Sequence, residues 1–400
     1  MNLSKYTTSF IGLLLFHLVV LLVLISDYSI SYEEADFYYN SNNLLSIIVN
    51  FSTSIFGQND FALRLPFILF YIGSSILLYL LTDDYFKSKW DRLIAVSIFM
   101  ILPGVNSAAL LVNESIIVIF CTLLYLYLYK VKQKEYYVLL LLFLFIDNSF
   151  AILFLALFFY SLKKKDNTLL IVSLALFGVS MSIYGFDISG RPRGYLLDTF
   201  GMYASIFSPF VFLYFFYSLY RVGIKHDKDM YWYIAMTSLG LSLLFSMRQH
   251  VKIEDFAPFV VIAIPITVKL FMHSLRVRLK EFRKIHYTIA VVGLGFLFIN
   301  FVVFTCNKYL YYLVQNPKSH FAYKYHMVKD LAVKLKELNI KSVSTYDKKL
   351  ALRLKFYGIE HGINYFISLE KLDVVDQKIA IDYFDKKVVT YYLINLNNSR

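Results

Sequence analysis

Cysteine, tryptophan, proline and glycine are all scarce in this 400-residue chain, at 2, 2, 7 and 15 residues. Two cysteines cannot staple a disulfide scaffold. So little glycine and proline excludes collagen-like and low-complexity sequence. Charge is thin too, at 17% of residues against about 25% in a soluble domain. What fills the space is apolar: 58% hydrophobic residues, with 38 Phe and 34 Tyr, and a mean hydropathy of +0.57. A soluble chain of this length has no core large enough to hide that excess, and disorder is excluded for the same reason. The composition predicts an integral membrane protein. The net charge of +12 must then be read by position, because polytopic proteins concentrate Lys and Arg in cytoplasmic loops. It does not point to nucleic acid.

A helix needs roughly 20 mostly apolar residues to span the hydrocarbon. Eleven such segments lie at about 8–26, 64–82, 93–111, 113–129, 136–147, 149–162, 167–185, 199–220, 230–247, 256–272 and 286–306. The fifth and sixth are short, with Asp147-Asn-Ser149 as the turn of a tight hairpin. The loops alternate in charge. One set holds Lys87, Lys89 and Arg92; Lys130, Lys132 and Lys134; Lys163, Lys164 and Lys165; Arg221, Lys225 and Lys228; and a cluster from Arg276 to Lys284. The other set is nearly bare, and residues 26–63 have no Lys or Arg at all. The positive-inside rule therefore predicts a cytoplasmic amino terminus, an outer loop over 27–63, and an outer location for everything after residue 306. The expected setting is a bacterial-type cytoplasmic membrane, crossed many times.

The first segment has no small-x-small cleavage site behind it and reads as a retained helix rather than a signal peptide. Cys121 falls inside one span and Cys306 at the end of another, so they form no structural pair. Past Pro317 the chain turns polar and Lys-rich. Helical spacing over Tyr325–Leu338 and near Lys348–Phe356 alternates with strand-like Ile340–Thr345, Ile363–Ile367 and Val388–Leu396. The predicted organisation is an all-α polytopic membrane domain over 1–306 and a small extracytoplasmic α/β domain over 307–400.

Three acids stand out on the outer side: the tandem Glu33-Glu34 after the first helix, and Glu114 in Leu110-Leu-Val-Asn-Glu-Ser115. Acids at the edge of a membrane helix are functional hypotheses by default, and a general base needs one carboxylate within reach of a hydroxyl. Asp27 and Asp36 read as solvated loop acids. Leu44, Ile48, Phe51 and Ile55 share one helical face with Ser and Asn opposite, so 44–56 reads as a helix lying in the outer interface. Gly57-Gln-Asn-Asp60 turns the chain into Phe61-Ala-Leu-Arg-Leu-Pro66.

An acidic pair followed by Ala, an interfacial helix, then Phe56-Gly57 and Ala62-Leu-Arg-Leu-Pro66 resembles the membrane GT-C glycosyltransferases. Within them the chain is most similar to the protein O-mannosyltransferase and aminoarabinose (lipid A) transferase group. The resemblance runs through Leu102-Pro103 and Asn113-Glu114 and covers residues 1–130. It implies sugar transfer from a polyprenyl-phosphate donor to an outer-face acceptor (glycolipid, glycan or protein) by an inverting mechanism. The first acid of the pair, Glu33 here, is implied as the base, with Glu34 beside it and Glu114 as the second outer-loop carboxylate. The family more often has Asp at Glu33 and Glu114, so both side chains are longer by one methylene.

A lipid phosphate needs cations, and Arg suits it through bidentate contacts. Arg64, Arg191, Arg193, Arg248, His250 and Lys252 are nearly the whole outer basic inventory before the tail. For Arg64 the alternative is to hold the loop by pairing with Glu34. Asp83-Asp84 lacks a spaced third acid, and the histidines at 17, 226, 273, 286, 320, 326 and 361 show no metal-ligand spacing. No cofactor is expected, although the sequence leaves a divalent metal open. Two rival readings remain: a transporter or flippase for lipid-linked sugars, and a non-catalytic GT-C relative acting as a scaffold.

Overall fold

The computed structural model describes residues 4–41, 43–185, 194–370, 376–384 and 386–396. The chain opens with four helices, α1 (Lys5–Asp27), α2 (Tyr32–Asn40), α3 (Leu44–Phe56) and α4 (Asp60–Leu81). Among the described residues five helices can cross a bilayer by length and composition: α1, α4, Ser115–Lys132, Asn167–Tyr184 and Lys280–Thr305. Three further apolar stretches are broken. Lys89–Ile101 and Pro103–Leu110 meet at 56°, Leu196–Phe207 and Pro209–Lys225 at 107°, and Ile253–Val261 and Ile264–Val277 at 42°. Up to eight spans result if each bent pair crosses once. The remaining hydropathic segments fold as Tyr137–Phe143, Phe150–Lys164 and Met230–Ser246, helices of 7, 15 and 17 residues. Hydropathy counts them because it averages over turns; the first two are shorter than a full crossing requires, and the third is at the lower limit. The chain is a mostly helical polytopic membrane protein that ends in a small sheet-containing region.

Two prolines show how buried backbone is kept satisfied. Pro103 interrupts one helical ladder, and the Asn106 amide donates to Met100 O at 2.9 Å and Leu102 O at 2.8 Å. Asn106 Oδ1 in turn meets His17 Nε2 at 2.7 Å, with the imidazole stacked between Tyr71 and Phe301. This intramembrane histidine is a satisfied packing group. Pro66 in α4 has no N–H for the Ala62 carbonyl one turn earlier. The Ser52 hydroxyl supplies the missing bond at 2.6 Å, as apolar surroundings demand.

Helix α3 turns large apolar side chains outward. Ser46, Ser52 and Thr53 face inward with Leu45 and Val49, while Ile47, Phe51 and Ile55 face outward beside Asn50 and Ser54. Of the face read from the sequence, Phe51 and Ile55 are exposed, and Leu44 and Ile48 are half-buried.

The chain divides into two compact units. One comprises Met1–Leu18, Phe67–Ala109 and Asn113–Phe301, and the other Val19–Pro66, Leu110–Val112 and Val302–Arg400. Polarity alone separates residues near 306. Packing instead groups the loop helices with the carboxy-terminal region, because Arg353 Nε donates to Ile30 O at 2.7 Å and Ile30 N donates to the Tyr357 hydroxyl at 2.8 Å.

In this second unit, strands β1 (Ser342–Ser344), β2 (Glu360–Ser368), β3 (Gln377–Tyr383) and β4 (Lys386–Asn395) form one sheet in the order β1-β2-β4-β3. The β1–β2 pair is parallel and the other two pairs are antiparallel. Val328–Glu337 and Lys348–Phe356 bring Leu331, Leu335, Leu350 and Leu354 into a core with Ile367, Ile379, Ile381 and Leu393. β3 escapes a sequence reading because its alternating Ile379, Ile381 and Tyr383 are few and are interleaved with Lys378, Ala380 and Asp382.

Candidate active site

The tandem glutamates both lie in the first turn of α2. Ser31 caps this helix, and Glu34, three residues on, closes the reciprocal box: Glu34 N donates to Ser31 Oγ at 3.1 Å and Ser31 N to Glu34 Oε2 at 2.8 Å. The same carboxylate accepts from Arg64 Nη2 at 3.1 Å and from Val112 N at 3.2 Å. Arg64 is completely buried. It also donates to Tyr28 O at 3.2 Å and Ser29 O at 3.1 Å, and its guanidinium lies 3.7 Å from Asp60. Asp60 is further neutralised by Lys329 at 2.9 Å and accepts from the Tyr357 hydroxyl at 2.7 Å.

Two expectations change here. Arg64 is walled in by Glu34, Asp60 and two carbonyls, so it holds the loop, and the reading of it as a donor-phosphate ligand is withdrawn. Glu34 has both oxygens committed to a buried brace, so it supports the site as a structural anion rather than as a proton acceptor.

Glu33 faces the other way. Its side chain is 64% exposed and forms an ion pair with Lys324 at 3.0 Å. It lines a cavity of about 290 Å³ together with Tyr32, Tyr323, Lys324, Asp347, Lys349 and Arg353. The Lys349 ammonium sits 5.2 Å from the centre of the Tyr32 ring. The Arg353 guanidinium is fixed by Ile30 O, the Lys324 carbonyl at 2.7 Å and the Ser29 hydroxyl at 3.3 Å. Burial pushes the Arg353 guanidinium down from its ordinary value, yet it remains a cation at any physiological pH. A carboxylate with free acceptor capacity, beside cations and aromatic rings, can accept a proton and hold a hydroxyl-rich ligand.

Glu114 belongs to the first unit. It occupies the amino-terminal cap position of Ser115–Lys132 but makes no side-chain cap bond. Burial pushes its carboxyl from 4.5 up to about 7, and Asp147, Asp255 and Glu254 push in the same direction. The folded state therefore binds this proton more tightly than the unfolded chain between about pH 4.5 and 7, and stability falls as pH rises through that window. Glu114→Gln is expected to flatten the slope and to stabilise the protein at pH 8 by at most about 3 kcal/mol. Unfolding midpoints in detergent at pH 5 and pH 8 check this; an unchanged slope contradicts it.

In the same unit, Arg248 and His250 lie in the turn after Met230–Ser246, and Lys252 occupies the cap position of Ile253–Val261. His250 meets the Tyr195 ring edge-on at 5.6 Å. Arg191 and Arg193 lie outside the described residues.

Asp60, Lys324, Lys329, Arg353 and Tyr357 were not among the sequence candidates. Ser31-x-x-Glu34 carried a local signal, the capping-box spacing. Asp60 also stands four residues before Arg64 on one helix, whereas Lys324, Lys329, Arg353 and Tyr357 act across more than 260 residues of chain and leave no local pattern. Among the described residues no group of three or more His, Cys, Asp or Glu is arranged to hold a metal ion.

Residues 44–153 match the family model described as dolichyl-phosphate-mannose-protein mannosyltransferase. No curated protein matches the chain. The matched stretch covers α3, the Ala62–Pro66 run in the first turns of α4, the Pro103 break and Glu114. This match, on a mostly helical chain with several membrane-length helices and a small carboxy-terminal sheet, supports the likeness to the GT-C glycosyltransferase group over about a quarter of the chain.

Proposed function

We propose that the chain transfers a sugar, mannose on the family's description, from a polyprenyl-phosphate donor to a hydroxyl of an acceptor on the outer face of the membrane. One observation carries this reading: the tandem acids are divided, with Glu34 locked by Arg64 while Glu33 stays exposed on a polar, aromatic-lined cavity.

In the proposed step Glu33 takes the acceptor O–H proton as the oxygen attacks the anomeric carbon. The new glycosidic bond forms while the bond to the phosphate oxygen breaks, and polyprenyl phosphate leaves with the electron pair. Attack opposite the leaving group inverts the anomeric configuration. Glu114 positions the substrate or assists proton transfer. Arg248, His250 and Lys252, with Arg191 and Arg193, are the proposed contacts of the departing phosphate, whose charge grows as the bond breaks. The amino terminus lies in the cytoplasm and the carboxy-terminal region outside, as the loop charges favour.

If Glu33 and Glu114 serve one step, their losses should not add. The double variant Glu33→Gln/Glu114→Gln is expected to transfer labelled mannose no more slowly than Glu33→Gln alone, within about threefold. Losses that multiply would separate Glu114 from the step.

A further inference from the structure

A groove of about 800 Å³ in the second unit is left unused by the proposed chemistry. That volume lies within the usual range of ligand pockets, roughly 300–1,000 Å³. Its lining is mixed. Leu22 and Ile25, from the last turns of α1, and Phe61, from the first turn of α4, are apolar. Lys336 and Lys355 are basic. Among the described residues neither lysine forms a salt bridge; Lys355 rests 4.3 Å from the centre of the Tyr39 ring.

The acids of the groove do not cancel this charge. Asp60 is already matched by Arg64 and Lys329, which leaves Glu360 as the one acid on the lining without such a partner.

A second observation says what surrounds the groove. Helix α3 runs directly into its rim at Gln58, Asn59 and Asp60. The large outward residues of this helix are apolar, with Ile47 63%, Phe51 68% and Ile55 58% exposed beside Asn50 and Ser54, whereas Ser46, Ser52 and Thr53 point inward. A helix with that polarity is stable when its outer face meets acyl chains. Leu22 and Ile25 lie at the end of a membrane-length helix, which is also interface depth. The groove thus offers apolar side chains at the level of the bilayer edge and two unmatched ammonium groups beside them.

We propose that this groove is a binding site for an anionic phospholipid, with the head-group phosphate between Lys336 and Lys355 and the upper acyl chain against Leu22, Ile25 and Phe61. A zwitterionic lipid carries its own cation and gains less from unmatched lysines. A soluble anion gains nothing from the apolar side chains. The site is separate from the Glu33 cavity, whose lining shares no residue with it.

Native mass spectrometry of the full-length protein tests this, with equimolar phosphatidylglycerol and phosphatidylcholine of identical acyl chains. The wild type is expected to retain phosphatidylglycerol at least about fivefold better. Lys336→Ala/Lys355→Ala is expected to bring that ratio close to one, while Lys280→Ala/Lys284→Ala, on a different helix, leaves it unchanged. Equal retention by the wild type overturns the proposal, as does an unchanged preference in the Lys336/Lys355 variant. Displacement of phosphatidylglycerol by one equivalent of undecaprenyl phosphate, lost in the same variant, would assign the groove to the donor lipid and also overturn it.

Discussion

Glu33→Gln is expected to lower sugar transfer by about 10²- to 10⁴-fold, the usual contribution of a positioned general base. The substitution keeps the shape and removes only the proton-accepting charge. The fold should hardly notice, because the side chain is 64% exposed and its partner Lys324 is 54% exposed; exposed pairs contribute about 0–1 kcal/mol. Unfolding midpoints within a degree or two of wild type, together with the rate loss, are therefore the expected combination. Glu33→Asp retains the carboxylate but draws it back by about 1 Å, and its loss should be smaller, up to about a hundredfold. Initial rates with polyprenyl-phosphate mannose labelled in the sugar measure all three proteins. Wild-type rates in Glu33→Gln would remove Glu33 from the chemistry.

Arg64→Leu should act in the opposite way, through stability first. The change leaves Glu34, only 3% exposed, without its cation and weakens the neutralisation of Asp60. Breaking a buried pair by removing one partner costs about 3–5 kcal/mol, most of it from the stranded charge. The same logic predicts partial rescue: adding Glu34→Gln to Arg64→Leu removes the stranded charge and should recover part of the loss. Chemical unfolding of the detergent-solubilised single and double variants checks this. If the double variant is no more stable than Arg64→Leu, the brace is not what Arg64 supplies. Because α2 begins at this brace, any activity lost in Arg64→Leu should follow the folded fraction.

The features legible in the sequence are those that repeat locally. Hydropathy located every long apolar helix, and periodicity found Leu44–Phe56 and Lys348–Phe356 with their observed limits. Loop acids beside a helix end singled out Glu33 and Glu34, and the Ala62-Leu-Arg-Leu-Pro66 run pointed to the family that residues 44–153 match. Less legible was whatever depends on length or distant partners. Tyr137–Phe143 is apolar enough to count as a span but ends after 7 residues. β3 interleaves its few large side chains with Lys378, Ala380 and Asp382 and looks like a loop. The division of labour between Glu33 and Glu34 is set by Arg64 and the Val112 N–H, 30 and 78 residues from Glu34. Lys324, Lys329, Arg353 and Tyr357 read simply as part of a Lys-rich polar tail. Their role is visible only once the loop helices and the carboxy-terminal region are seen in one packed unit.

The central claim is that the chain breaks the bond between sugar and lipid phosphate rather than moving the intact lipid-linked sugar. The most direct test is to reconstitute the wild-type protein in vesicles with polyprenyl-phosphate mannose doubly labelled in the sugar and the lipid, plus a crude membrane acceptor fraction. The expected result is protein-dependent separation of the two labels, with the sugar label in the acceptor and one free polyprenyl phosphate released per sugar transferred. Redistribution of the donor between leaflets with both labels still joined would contradict the account and make the protein a transporter of lipid-linked sugar.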